Sequence, residues 1–191
     1  MNTPAPARAL PVDTLRARRV ALPSAVRVAP LYPGAYLADA YAIGLPAGVT
    51  GDALQFARCV LERQAPWVDQ LMWLRDRLVS GFGIKTAESL RSKVEPGAPR
   101  IGLFRVYETH PEEVVLGEDD SHLDFRVSVF LPPAAADGTR EVVTVTVVHC
   151  HNLVGRSYIR LIDPFHRLVV RSGLERAARA GWQMPSPSVT R

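Results

Sequence analysis

Glu113-Val-Val-Leu-Gly-Glu-Asp-Asp-Ser-His-Leu-Asp-Phe-Arg-Val-Ser-Val-Phe-Leu131 is the stretch whose reading decides the fold. Two runs in it, Glu113–Glu118 and His122–Leu131, are rich in the β-branched and aromatic residues that suit a pleated surface. Between them Glu118–Ser121 reads as a turn, because Asp and Ser side chains hydrogen-bond nearby backbone. Strands joined by so short a turn run antiparallel. The second run also alternates. His122, Asp124 and Arg126 fall on one face, and Leu123, Phe125 and Val127 on the other.

Working outward, Arg100–Thr109 reads as the preceding strand, joined through His110-Pro111, and Glu141–His151 as the following one. Asp137-Gly138 lies before the latter, and Asp-Gly favours the primed turns that match strand twist. A two-residue turn there places Asp124 opposite His151 and Arg126 opposite His149. Upstream, Tyr36–Leu45 is the first strand. Thr50 can cap a helix carrying Ala53, Leu54, Ala57, Val60 and Leu61 at helical spacing. A second helix starts at Pro66, with a stripe of Trp67, Leu71, Leu74 and Leu78, and ends at Gly81 and Gly83. Residues 86–99 read as a loop. Downstream, Asn152–Gly155 is a break, Arg156–Ile162 a short helical piece, and Asp163-Pro164 a helix restart that runs to Gly181. The expected class is α+β: a curved antiparallel sheet wrapped around a long C-terminal helix, with a two-helix insertion after the first strand. Residues 1–30, rich in Pro, Ala and Arg, read as a flexible arm, 31–182 as one domain and 183–191 as a tail.

Composition narrows the function classes. The chain has 191 residues, 47% of them hydrophobic, which is ample for a core. No apolar run reaches the roughly 18 residues of a membrane span. The net charge is +4, carried almost wholly by scattered arginines, and aromatics make up 7% without interleaving among them. That pattern argues against a nucleic-acid binder. Cys59 and Cys150 stand apart and form no CxxC, so free thiols in a reducing, cytoplasmic setting are expected.

The element order over residues 35–181 resembles the helix-grip fold of START-like proteins, the SRPBCC or polyketide-cyclase type. Several strings are similar to the bacterial domain-of-unknown-function family 2867: Leu31-Tyr-Pro-Gly-Ala35, Trp73-Leu-Arg-Asp-Arg77, Leu116-Gly-Glu-Asp-Asp-Ser-His-Leu-Asp-Phe-Arg126, His151-Asn152 and Pro164-Phe-His-Arg167. The first resemblance implies a cavity between helix and sheet. The second implies no activity. It does suggest a reductase-like partner, which would be a separate chain because no glycine-rich phosphate loop precedes this domain.

Three function classes follow. The first is a binding protein for a small, largely apolar molecule held between sheet and helix. The second is an enzyme of cyclase, isomerase or hydrolase type, with His122 as general base and Asp119, Asp120 or Asp124 as its acid or orienting carboxylate. The plain alternative is that Glu118–Ser121 form only a solvated hairpin tip. The third is an interaction module using the arginine-rich arm and the last helix. Arg126, His149 and His151 would add a polar patch able to orient an anionic ligand. Arg156 and Tyr158 would lie at the mouth of the cavity. No recognised metal-ligand motif and no cofactor motif is present, so none is expected. His166, in the first turn after Asp163-Pro164, reads as a packed or capping residue. Neither membrane nor nucleic acid is an expected partner, and the oligomeric state is open.

Overall fold

The computed structural model describes residues 15–62 and 99–183. Among them the strands form a seven-stranded, wholly antiparallel sheet. In chain order they are β1 (Arg18–Val20), β2 (Leu37–Leu45), β3 (Arg100–Ile101), β4 (Phe104–Thr109), β5 (Glu113–Asp119), β6 (Leu123–Phe130) and β7 (Arg140–Cys150). Their order across the sheet is β1-β2-β7-β6-β5-β4-β3. Helix α1 spans Ala53–Leu61 and helix α2 spans Leu153–Arg179. The α+β class and the long C-terminal helix are as the sequence suggests. The second expected helix and the loop after it lie outside the described residues.

The sheet is covered on both faces, which explains why seven consecutive residues of β7, Val142–Val148, are buried. One face packs against α1 and α2 through Tyr41, Ile43, Val114, Leu116, Val129 and Val142, which meet Phe56, Val60, Leu174 and Ala177. The other face is covered by the chain before β2, through Val26 and Val28 against Ala40, Val115, Val145 and Val147. Ala17, Val26 and Val28, within the stretch read as an arm, are buried. β1 adds to the edge of the sheet by pairing Arg18 with Ala42 and Val20 with Ala40.

Three local readings change for identifiable reasons. Asp52, rather than Thr50, caps α1: its carboxylate accepts from the Gln55 N–H at 2.8 Å while the Gln55 side chain accepts from the Asp52 N–H. That reciprocal pair satisfies two donors that a helix start otherwise leaves open. The loop between β6 and β7 is longer than the Asp137-Gly138 dipeptide alone implies. Its turn is closed by Gly138 N–H on the Ala135 carbonyl, with Gly138 at φ 80°. The register consequently shifts by two residues, setting Asp124 opposite His149 and Arg126 opposite Val147. A shift of two leaves every side chain on its expected face, whereas a shift of one would invert them all.

The two-piece reading of the C-terminal helix also gives way. α2 runs unbroken from an Asn152 cap, whose side-chain oxygen accepts from the Gly155 N–H at 3.0 Å, straight through Pro164. Proline inside a helix forfeits one backbone bond. Burial of Ile159 on one side of it and of Leu174, Ala177 and Ala178 on the other keeps the helix continuous. Gly181, at φ 67°, then ends α2. Its N–H and that of Trp182 return to the carbonyls of Ala178 and Ala177. Trp182 is thereby turned into the core, edge-on to Phe56 at 5.3 Å.

Candidate functional site

The helix-facing surface of the sheet carries a polar group where its strand pattern calls for an apolar one. In β2 the odd positions Leu37, Tyr41, Ile43 and Leu45 point toward the helices, and Asp39 shares that face. It is only 2% exposed. On the neighbouring strand Thr146 lies directly opposite Asp39, and Thr144 lies opposite Tyr41. Both threonines are buried. From above, α2 lowers His166 onto Asp39, with Nε2 donating to Oδ1 at 3.3 Å. The second carboxylate oxygen, Oδ2, has no hydrogen-bond partner, and neither has the Thr144 hydroxyl. The two residues sit diagonally on adjacent strands, a separation of about 7 Å between backbones. A buried polar atom without a partner costs about 1–3 kcal/mol, and here two lie on one face of adjacent strands.

The surroundings are basic at one side and apolar at the other. Burial, and then the nearby Asp39 carboxylate, raise the pKa of Tyr41, while Arg19, Arg167 and Arg171 pull it the other way. Arg167 itself is held to Asp163, one turn earlier on α2, at 2.5 Å. Away from Asp39 the same sheet face is apolar through Val127 and Leu116, which continue the Thr146 row, and through Phe125, which meets Phe104 edge-on at 5.5 Å. The apolar strip ends at an ion pair between Arg100 and Glu118, 3.1 Å apart. Glu118 therefore belongs to β5 and points to the helix face. The expected turn shifts to Ser121-His122, closed by Asp120 N–H on the Leu123 carbonyl.

The residues singled out in the sequence lie elsewhere, and most are engaged in holding the fold. Asp119, Asp124, Arg126 and His149 are on the opposite sheet face, the one covered by the N-terminal chain. Arg126 pairs with Asp119 at 2.7 Å and stacks over the Tyr107 ring at 3.9 Å. Tyr107 donates its hydroxyl to Asp119 at 2.9 Å. Burial, reinforced by that bond, pushes its pKa up to about 12. His149 donates to the Leu31 carbonyl at 2.8 Å, pinning the covering segment. His151 donates to Asp124 at 2.9 Å. Asp120 accepts from the backbone and hydroxyl of Ser121, as a turn residue does.

His122 lies in the turn before β6, beside the first turn of α2. The Asn152 side-chain oxygen is committed to Gly155, so its amide nitrogen faces His122 Nδ1 at 2.9 Å and donates to it. Arg156 is exposed on α2, and Tyr158 packs near Leu123, Val148 and Ile159. The structure thus gathers Asp119 with Arg126, and Asp124 with His151, and brings none of them to Asp39. Among the described residues no group of three or more His, Cys, Asp or Glu side chains converges to hold a metal ion. No described helix is long and apolar enough to cross a membrane.

Sequence reasoning passed over Asp39 and Thr144 and set His166 aside. The available signal was the break in alternation at Asp39, a charge on an otherwise apolar strand face. His166 gave no such signal, because its partner lies 127 positions earlier in the chain. A separate groove of about 360 Å3 opens near the C-terminal end of α2, lined by Cys59, Arg176, Ala177, Arg179, Ala180 and Gln183. Its cysteine thiol donates to the Gln183 carbonyl at 3.5 Å. Neither unpartnered atom of the Asp39 site lines it, so the chemistry and the open volume do not coincide.

Residues 31–173 match the family described as Protein of unknown function (DUF2867). The chain belongs to this family. The match runs from the segment pinned by His149 through Asp39, the central hairpin and His166, into the last third of α2. No curated protein and no solved structure matches the chain.

Proposed function

We propose that the protein binds a small, largely apolar molecule between the sheet and α2, in the manner of a helix-grip domain. Its polar anchor is Asp39. The observation that carries this reading is the pair of buried, unpartnered atoms, Asp39 Oδ2 and Thr144 Oγ1, on one face of two adjacent strands. An ionised carboxylate only accepts hydrogen bonds, whereas a threonine hydroxyl can donate or accept. The ligand group that completes both is therefore a donor: a hydroxyl, an amide N–H or an ammonium. The apolar strip of Val127, Leu116, Phe125 and Phe104 suits the remainder of such a molecule. His166 holds the other carboxylate oxygen and so fixes the direction in which Oδ2 points.

Support for catalysis through His122 is weaker. Its Nδ1 already accepts from Asn152, and the nearby carboxylates of Asp119 and Asp124 lie on the sheet face away from α2.

Native mass spectrometry of the gently purified protein tests the proposal, comparing wild type with Asp39→Asn and Thr144→Val. A bound small molecule that is present in wild type and depleted in both variants is the expected result. Wild-type protein that carries no adduct, or carries one equally retained by both variants, would sink this reading in favour of buried water as the missing partner.

A further inference from the structure

The outward face of α2 has a composition that packing among the described residues does not explain. Leu161, Phe165 and Leu168 are 53%, 45% and 55% exposed, and Leu153 near the helix start is 76% exposed. The first three stand at i, i+4 and i+7, so they form one stripe along the helix. At 3.6 residues per turn the stripe points roughly opposite to Ile159, His166, Gly173 and Ala177, the side that meets the sheet and α1. Arg156, Arg160, Arg167 and Arg171 all lie on one flank of the helix, between that stripe and the side that meets the sheet, and all are exposed. Arg167 is paired with Asp163, and Arg171 reaches Glu175 only at 4.0 Å. Arg156 and Arg160 have no carboxylate partner among the described residues.

We propose that this face is a docking surface for another protein, which presents an amphipathic helix with acidic residues along one edge. Leucine and phenylalanine at this spacing are the anchors that a helix laid alongside would bury. The single-sided arginine edge then sets both the orientation and the charge of the partner, since complementary charge selects partners and speeds encounter. A second copy of this chain fits poorly, because two α2 helices packed through the stripe would bring two sets of four arginines into one interface.

The test uses capped synthetic peptides with a leucine face and either a glutamate or a lysine edge. They are titrated against the full-length protein by fluorescence anisotropy, beside vesicles of phosphatidylcholine with and without phosphatidylserine. The glutamate peptide is expected to bind at least about tenfold more tightly than its lysine isomer, and less tightly as salt rises. Leu161→Ala/Phe165→Ala and Arg156→Glu/Arg160→Glu should each weaken it by about tenfold or more while leaving the circular dichroism spectrum unchanged. The proposal is overturned if the two peptides bind equally or not at all, or if the double variants bind like wild type. It is overturned equally if the stripe carries binding to phosphatidylserine vesicles instead, or a dimer in analytical ultracentrifugation that Leu161→Ala/Phe165→Ala dissociates. None of these outcomes touches Asp39, so the interior binding site stands or falls separately.

Discussion

Two carboxylates, Glu113 and Asp39, are each 2% exposed on opposite faces of one sheet, and their surroundings differ completely. Glu113 faces the covering N-terminal segment. It accepts from the Ser128 hydroxyl at 2.6 Å, and each of its oxygens accepts from the Arg27 backbone N–H at 3.0 Å. Asp39 faces α2 and accepts one longer bond from His166, leaving Oδ2 with nothing. Burying a charge is tolerated when hydrogen bonds replace lost water. Glu113 meets that condition and works as a clamp on the segment that covers its face. Asp39 meets it only in part. The two faces of one sheet thus bury a carboxylate in different ways, fully bonded at Glu113 and bonded through one oxygen at Asp39.

The largest effect expected from that contrast is on stability. Glu113→Ala leaves a buried hydroxyl and a backbone N–H without acceptors and should cost about 3 kcal/mol or more. Asp39→Ala removes a carboxylate that is already poorly satisfied, and its histidine partner retains some contact with solvent. It should cost no more than about half as much. Urea denaturation of both variants checks this ratio. Equal losses would mean that Asp39 is a clamp of the same kind, and the proposed anchor would lose its basis.

Next in size is the anchoring of α2. If His166 and Asp39 are kept for a ligand, the helix must be fixed by other means, and the structure offers one. A Cβ added at Gly155 would run into the His122 carbonyl, a backbone atom that cannot swing aside. Gly155→Ala should therefore cost about 2 kcal/mol by forcing the helix start away from the β5–β6 hairpin. His166→Ala should cost less than about 1 kcal/mol. A reversed order in thermal denaturation would make the His166 contact the principal fastener of the helix.

The same contrast explains what could be read from the sequence. Alternation assigned Asp124 and Arg126 to one face of β6 and Leu123, Phe125 and Val127 to the other, and a two-residue register shift left that assignment intact, whereas His122, expected beside Asp124, lies in the turn before β6. The charged string Glu118-Asp-Asp-Ser-His122 drew the eye because its titratable groups are adjacent in the chain. Adjacent groups at a hairpin satisfy one another locally, as Asp120 does with Ser121. The Asp39–Thr144–His166 site is assembled from β2, β7 and α2, and no local pattern encodes which residues meet across such distances. Its only trace was one aspartate out of phase. Pro164 misled in a similar way: its local preference for a helix start gave way to the packing on either side of it.

The smallest effect concerns two tyrosines, one on each face, and reads the two environments without disturbing the fold. Tyr107, against the covering segment, has its pKa pushed up from 10.0 to about 12 by burial and by its bond to Asp119. Tyr41, on the helix face, is raised by burial and then by Asp39. In both, folding favours the neutral phenol. Their contribution to stability is thus intact below pH 10, the ordinary value. For Tyr107 it is lost as the pH climbs from there toward 12. Ultraviolet titration of tyrosinate, with Tyr107→Phe and Tyr41→Phe subtracted in turn, assigns each group. Asp119→Asn should lower the Tyr107 midpoint and leave Tyr41 unmoved, and Asp39→Asn should do the reverse. A Tyr41 midpoint that ignores Asp39→Asn would show that the Asp39 carboxylate does not act on Tyr41.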